Sequence, residues 1–214
     1  MKKNLTELVF ILDRSGSMSG LEKDTIGGYN AMLEKQKKEE GEANVTTVLF
    51  DDKIEMLQKR VSIQNSPKIT EKEYYVRGCT ALLDAIGQSI HFMGNVQKYA
   101  KDEDRASKVL FVITTDGYEN SSKEYNYETI RKMIKRQKER YDWEFIFLGA
   151  NIDAIETAER FGIDKDYASN YVADSRGTEL NYQAMNMAVS LCRSEGKINK
   201  VWKEEVESDF RNRR

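Results

Sequence analysis

A chain of 214 residues fits one α/β domain and is long enough to bury a substantial core. Its 34 Lys and Arg stand against 36 Asp and Glu for a net charge of -2, a balance that argues against bulk affinity for nucleic acid or for a membrane surface. Two cysteines, Cys79 and Cys192, are too few for a disulfide framework, so a reducing, cytoplasmic setting is expected.

Near the start, polar Asn4, Thr6 and Glu7 interrupt any signal-like core, and the apolar run Leu8 to Leu12 is too short for a signal peptide or a membrane span. That run reads as a first buried strand. Leu21 to Glu40 has helical period, with Leu21, Thr25, Gly28, Tyr29, Met32 and Leu33 on one face and Gly41 as the stop. Val45 to Phe50 is a second strand. Ile54 to Ile63 is a third, whose polar alternation suits a half-exposed edge, and the short link Asp51-Asp52-Lys53 makes the two a hairpin. Residues 64 to 78 hold the one proline, Pro67, and read as a loop with at most a helical turn.

Ala81 to Tyr99 is predicted helical, with Leu82, Leu83, Ile86, Ile90 and Met93 as its buried stripe. Val109 to Thr114 is a continuous apolar run, the pattern of a central strand covered on both faces. Tyr127 to Arg140 is helical, with Met133, Ile134 and Tyr141 inward. Trp143 to Leu148 is another central strand, and Ala154 to Phe161 a short helix closed by Gly162. Ala168 to Val172 suits a last strand, and Thr178 to Cys192 a helix carrying Leu180, Ala184, Met187, Ala188 and Leu191 inward. Residues 1–196 form one domain in this reading, and 197–214 a charged tail, helical or frayed. The alternation predicts a doubly wound, mostly parallel sheet with one antiparallel edge strand and helices on both faces. In such sheets a site lies beyond the carboxyl ends of the strands.

Three loops at those ends carry the chemistry. In the first, Asp13, Ser15 and Ser17 alternate in a turn opened by Gly16 and Gly20. In the second, Thr80 follows Gly78 just before a helix. In the third, Asp116 ends the central strand with Gly117 behind it. Two carboxylates and three hydroxyls suit a hard cation, with Mg²⁺ favoured and softer metals argued against. The set D-x-S-x-S (Asp13, Ser15, Ser17), then Thr80, then Asp116, resembles the metal-ion-dependent adhesion site of the von Willebrand factor type A domain family, and the match in strand and helix order covers about residues 5 to 195. The resemblance implies a Rossmann-like fold with no catalysis of its own and a small bacterial single-domain type. It further implies a Mg²⁺ or Mn²⁺ ion held by Asp13, Ser15, Ser17, Thr80 and Asp116. An open coordination position would accept an Asp or Glu from a protein partner.

Other readings stand beside this one. An aspartate ending the first strand is also where phosphoaspartate-forming hydrolases place their nucleophile, but their second acid, two residues on, is here Ser15. The run Arg131 to Arg140 invites a nucleic-acid reading, which Glu139 and the apolar Met133 and Ile134 disfavour against a solvated helix surface. His91 falls mid-helix as a core or surface residue, and Cys79 has no histidine near it in sequence to make it a nucleophile. Tyr74, Tyr75, Tyr118, Tyr125 and Tyr127 are either core anchors or a recognition rim beside the metal. Arg14, inside the first motif, is expected to face solvent and to be available to a partner's acid.

Overall fold

The apolar runs become strands wherever both faces can be covered. The computed structural model describes residues 2–213, so Met1 and Arg214 of the predicted domain and tail lie outside the described residues. In chain order the elements are β1 (Lys2–Asp13), α1 (Glu22–Gln36), β2 (Glu42–Phe50), β3 (Ile54–Ser62), α2 (Leu82–Tyr99), β4 (Ala106–Thr115), α3 (Tyr127–Tyr141), β5 (Glu144–Gly149), α4 (Ala154–Phe161), β6 (Ala168–Asn170), α5 (Ser175–Glu195) and α6 (Glu204–Asn212). One sheet runs in the order β3-β2-β1-β4-β5-β6, parallel except where β3 pairs antiparallel to β2. The fold class is the one expected. Chain direction switches between β1 and β4, which places the crevice for a ligand at their carboxyl ends.

The period of two along β1 divides the core. Leu8, Phe10 and Leu12 point to the side where Tyr29 and Met32 of α1 meet Met185 and Val189 of α5. Val9 and Ile11 point to the other side, against Ile86 and Ile90 of α2, Ile130 and Ile134 of α3 and Phe161 of α4. Each such side chain removed from water contributes roughly 1.5–3 kcal/mol, which explains why the central strands are nearly all apolar.

Three expectations about the helices are corrected. Helix α1 stops at Gln36, one turn before Glu40, because Arg193 of α5 takes the carbonyls that a continuing helix would use. Its guanidinium donates to Gln36 O at 2.6 Å, Glu40 O at 3.1 Å and Gly41 O at 3.0 Å. Gly41 then turns the chain with φ +86°. The phase of helix α5 departs from the expected one at Met187, which is 43% exposed: Ala184 and Ala188 are buried and Leu180 and Leu191 pack against the core as expected, and Asn181, Tyr182, Met185, Val189 and Cys192 complete the inward face. The Tyr182 ring lies directly on Gly28 of α1, where a methyl group would overlap it. Tyr141 is 54% exposed, because Ile130 and Ile134 already carry the inward face of α3 and the chain leaves the helix in a left-handed turn at Asp142.

The charged C-terminal segment packs on the domain. Trp202 and Val206 are buried in the core shared by α1 and α5, and the Trp202 indole donates to Asp166 O at 3.1 Å. Lys203 Nζ donates to Ala168 O at 2.9 Å on β6, covering a sheet edge that would otherwise be open.

Candidate metal centre

The three loops meet. Asp13 is the last residue of β1 and is 1% exposed. Its Oδ1 accepts the Ser15 amide at 2.7 Å and its Oδ2 the Thr115 hydroxyl at 2.5 Å, so both oxygens are engaged. This bond to Ser15 curls the loop so that Ser15 Oγ and Ser17 Oγ lie 3.1 Å apart. Ser17 Oγ then donates to Asp116 Oδ1, 99 residues away and just past the end of β4. Around Gly117, a methyl group would sit 3.1 Å from Ser17 Oγ and 3.6 Å from Thr80 Oγ1, which puts both hydroxyls on one small space beside Asp116. The residues singled out in the sequence are therefore brought together.

Electrostatically the centre is strained toward protonation without a cation. Burial pushes the Asp116 carboxyl up to about 6, against the opposing hydrogen bond from Ser17 and with a further push from the Asp13 charge. Burial also raises Asp13, although Thr115 and Ser15 hydrogen-bond its charged form. Asp116 Oδ2 is buried and has no hydrogen-bond partner. An orphaned carboxylate oxygen beside three hydroxyls fits a hard divalent cation, with Ser15, Ser17, Thr80 and Asp116 able to hold it and Asp13 to orient the loop. No group of three or more His, Cys, Asp or Glu side chains suited to a metal occurs among the described residues, so the oxygens gathered here are mainly hydroxyls.

The surroundings hold groups that sequence reasoning misjudged. Arg14 is fully buried and does not face solvent. Its Nε donates to Asp51 Oδ2 at 2.9 Å, a terminal nitrogen donates to Glu73 O at 3.2 Å, and its other terminal nitrogen lies 2.9 Å from Glu55 Oε2 as an ion pair without hydrogen-bond alignment. Asp51 also accepts Arg77 Nε at 2.7 Å. The backbones of residues 14–16 and 77–78 pair through Arg77 N to Arg14 O at 3.0 Å and Gly16 N to Gly78 O at 3.2 Å. Arg14 thus ties the Asp13–Ser17 loop to the hairpin and to the loop that carries Thr80. Its sequence signal was the company of Asp51 and Glu55 at the end of the neighbouring strands, which only the register of β1 beside β2 reveals.

The tyrosines divide. Tyr74 is buried and donates to Asp13 O at 2.5 Å, a core anchor under the site. Tyr127 stacks on Phe161, and Tyr125 packs over Gly87 with its hydroxyl 2.8 Å from His91 Nδ1. Tyr75 and Tyr118 are the exposed pair, at 44% and 66%, and the Tyr75 ring lies 5.4 Å from the Arg14 guanidinium and 5.3 Å from that of Arg77. Cys79 is exposed, and both cysteines are free. Among the described residues no helix is long and apolar enough to cross a membrane.

No family model and no curated protein matches this sequence. Solved structures do match it in shape. The PilB minor pilin from Streptococcus sanguinis superposes with a TM-score of 0.61 at 10% identity, over 89% of this chain and 62% of the pilin. Manganese-loaded TRAP protein from Plasmodium vivax gives 0.55 at 14% identity, over 84% of this chain and 73% of TRAP. Proximal thread matrix protein 1 from the mussel byssus, with a zinc-occupied MIDAS motif, gives 0.59 at 11% identity, over 88% of this chain and 49% of its own. The chain thus spans less than two thirds of the pilin and about half of the byssus protein. Sheet order, the single antiparallel edge strand and these likenesses agree on one architecture. The chain has the fold of a von Willebrand factor type A domain.

Proposed function

We propose that this chain is a metal-dependent protein-binding module in which a divalent cation, Mg²⁺ or Mn²⁺, is held by Ser15, Ser17, Thr80 and Asp116 with Asp13 in support. The observation that carries the reading is the buried Asp116 Oδ2, which has no partner and lies on the carboxylate to which Ser17 donates. A cation held mostly by neutral hydroxyls keeps much of its charge, so it attracts a carboxylate from a partner. The chain's own residues supply the low-charge cradle and leave Asp116 Oδ2 without a competing donor. Zinc in the byssus protein and manganese in TRAP are consistent with a divalent ion in this fold.

A hydrolase is disfavoured, because the Asp13 carboxylate is committed on both oxygens to Ser15 and Thr115 and no acid stands two residues on. The basic helix α3 pairs Lys132 with Glu128 at 2.5 Å and Lys135 with Glu139 at 3.7 Å, as a solvated face does. Two free cysteines support a reducing, cytoplasmic setting. The test is affinity capture from a lysate with the full chain as bait. Capture of a protein partner is expected in Mg²⁺ or Mn²⁺, lost in EDTA, and lost in folded Ser15→Ala and Thr80→Ala variants. Ser17→Asp should bind the cation yet lose the partner, since added charge quenches its pull on an incoming carboxylate. Capture that is indifferent to EDTA and to these variants would remove the reading.

A further inference from the structure

Of the three hydroxyls in the centre, Ser15 and Ser17 are fixed by their own turn, through the Asp13 carboxylate and the Met18 amide, which donates to Ser15 O at 3.0 Å. Thr80 has no such local support. It lies between Gly78, at φ +67°, and the start of α2 at Leu82. Helix α2 also lacks a cap of its own, because its N-cap residue is Ala81. The missing acceptors come from the loop after β4. Glu119 accepts the Leu83 amide at 2.9 Å, and Ser122 Oγ accepts the Asp84 amide at 3.1 Å. In return the Asp84 carboxylate accepts the amides of Lys123, Glu124 and Tyr125 at 2.8, 3.0 and 2.9 Å. The loop that begins with Asp116 is therefore stapled onto the helix that begins after Thr80.

At the middle of the staple, Asn120 grips Thr80 on both sides of its backbone. Asn120 Oδ1 accepts the Thr80 amide at 2.9 Å, and the Asn120 amide donates to Thr80 O at 3.0 Å. A β-branched side chain has few χ1 choices, so fixing the backbone of Thr80 narrows the directions open to its hydroxyl. We propose that Asn120 is a positioning residue for the metal centre: by bracketing Thr80 it aims Thr80 Oγ1 at the space beside Asp116 and ties the second donor loop to the third. The inference rests on the metal reading above. Groups that orient a ligand are typically worth about 10- to 100-fold in metal affinity.

The experiment titrates the full chain with Mn²⁺ as the probe, reading free Mn²⁺ by electron paramagnetic resonance and the melting temperature of the metal-free protein in parallel. Asn120→Ala is expected to raise the Mn²⁺ Kd by about 10-fold or more. Asn120→Asp keeps the acceptor for the Thr80 amide and should bind Mn²⁺ at least as tightly as wild type. Asn126→Ala, at the far end of the same loop, removes the cap that accepts the Thr129 amide at 2.9 Å and touches nothing at Thr80. It should lower the melting temperature and leave the Kd unchanged. An Asn120→Ala protein within about threefold of wild type, or an Asn126→Ala protein equally weakened, overturns the positioning role while leaving the metal centre intact. A wild type that binds no Mn²⁺ overturns the metal reading and this inference with it.

Discussion

Asp116 makes the metal-free protein sensitive to pH in a direction opposite to most salt-bridged carboxylates. Its carboxyl is pushed from 3.8 to about 6 by burial first and by the Asp13 charge in addition. A carboxyl that holds its proton more tightly in the folded chain stabilises the fold fully below about pH 4 and loses that contribution as pH rises through about 6. Two units at about 1.4 kcal/mol each give roughly 3 kcal/mol, which solvent screening at the open mouth, where Ser17 is exposed, reduces to on the order of 2 kcal/mol. For a domain of this size that is a fall of about 4–8 °C in melting temperature. The perturbation is Asp116→Asn, which is isosteric and cannot ionise, and the assay is thermal unfolding of metal-free wild type and variant across pH 4 to 8. The wild-type curve should fall relative to the variant between pH 4 and 7, and saturating Mg²⁺ should abolish that relative fall in the wild type alone. Parallel curves for wild type and Asp116→Asn in the absence of metal would refute the reasoning, because they would mean that Asp116 ionises in the fold as easily as in water.

Two further outcomes follow from the packing around the site. Arg14→Leu leaves the buried Asp51 with Arg77 alone and Glu55 without its ion pair, and should cost about 3 kcal/mol in chemical denaturation. Arg14→Lys should not restore it, since an ammonium cannot span Asp51, Glu55 and Glu73 O together, and a wild-type midpoint for either variant would contradict the anchoring role. Gly28→Ala drives a methyl group into the Tyr182 ring and should cost about 1–3 kcal/mol by forcing α1 and α5 apart, with an unchanged denaturation midpoint as the contrary result.

Local chemistry along the chain determined the strand and helix order, the parallel sheet with its hairpin edge, and the five oxygen-bearing residues whose loops the fold brings together. Strand-length apolar runs such as Val109 to Thr114 have one stable use, and D-x-S-x-S has oxygen donors at a spacing that a turn gathers and a helix scatters. Tertiary structure alone decided what depends on contacts distant in sequence. Arg14 looked solvent-facing because a charged side chain in a loop is ordinarily solvated, and it is buried because β1 lies in register beside β2 and brings up Asp51 from 37 residues away. The end of α1 was set by Arg193, 157 residues on, and the inward place of Tyr182 on α5 by its fit onto Gly28. Whether Tyr74 or Tyr75 turned inward was equally open in the sequence, since adjacent residues in a loop have no period to choose between them. The fold chose Tyr74 because the Asp13 carbonyl lies within 2.5 Å of its hydroxyl. Periodicity reports which residues prefer burial, but which buried partner each one meets is fixed only when strands and helices are packed into register.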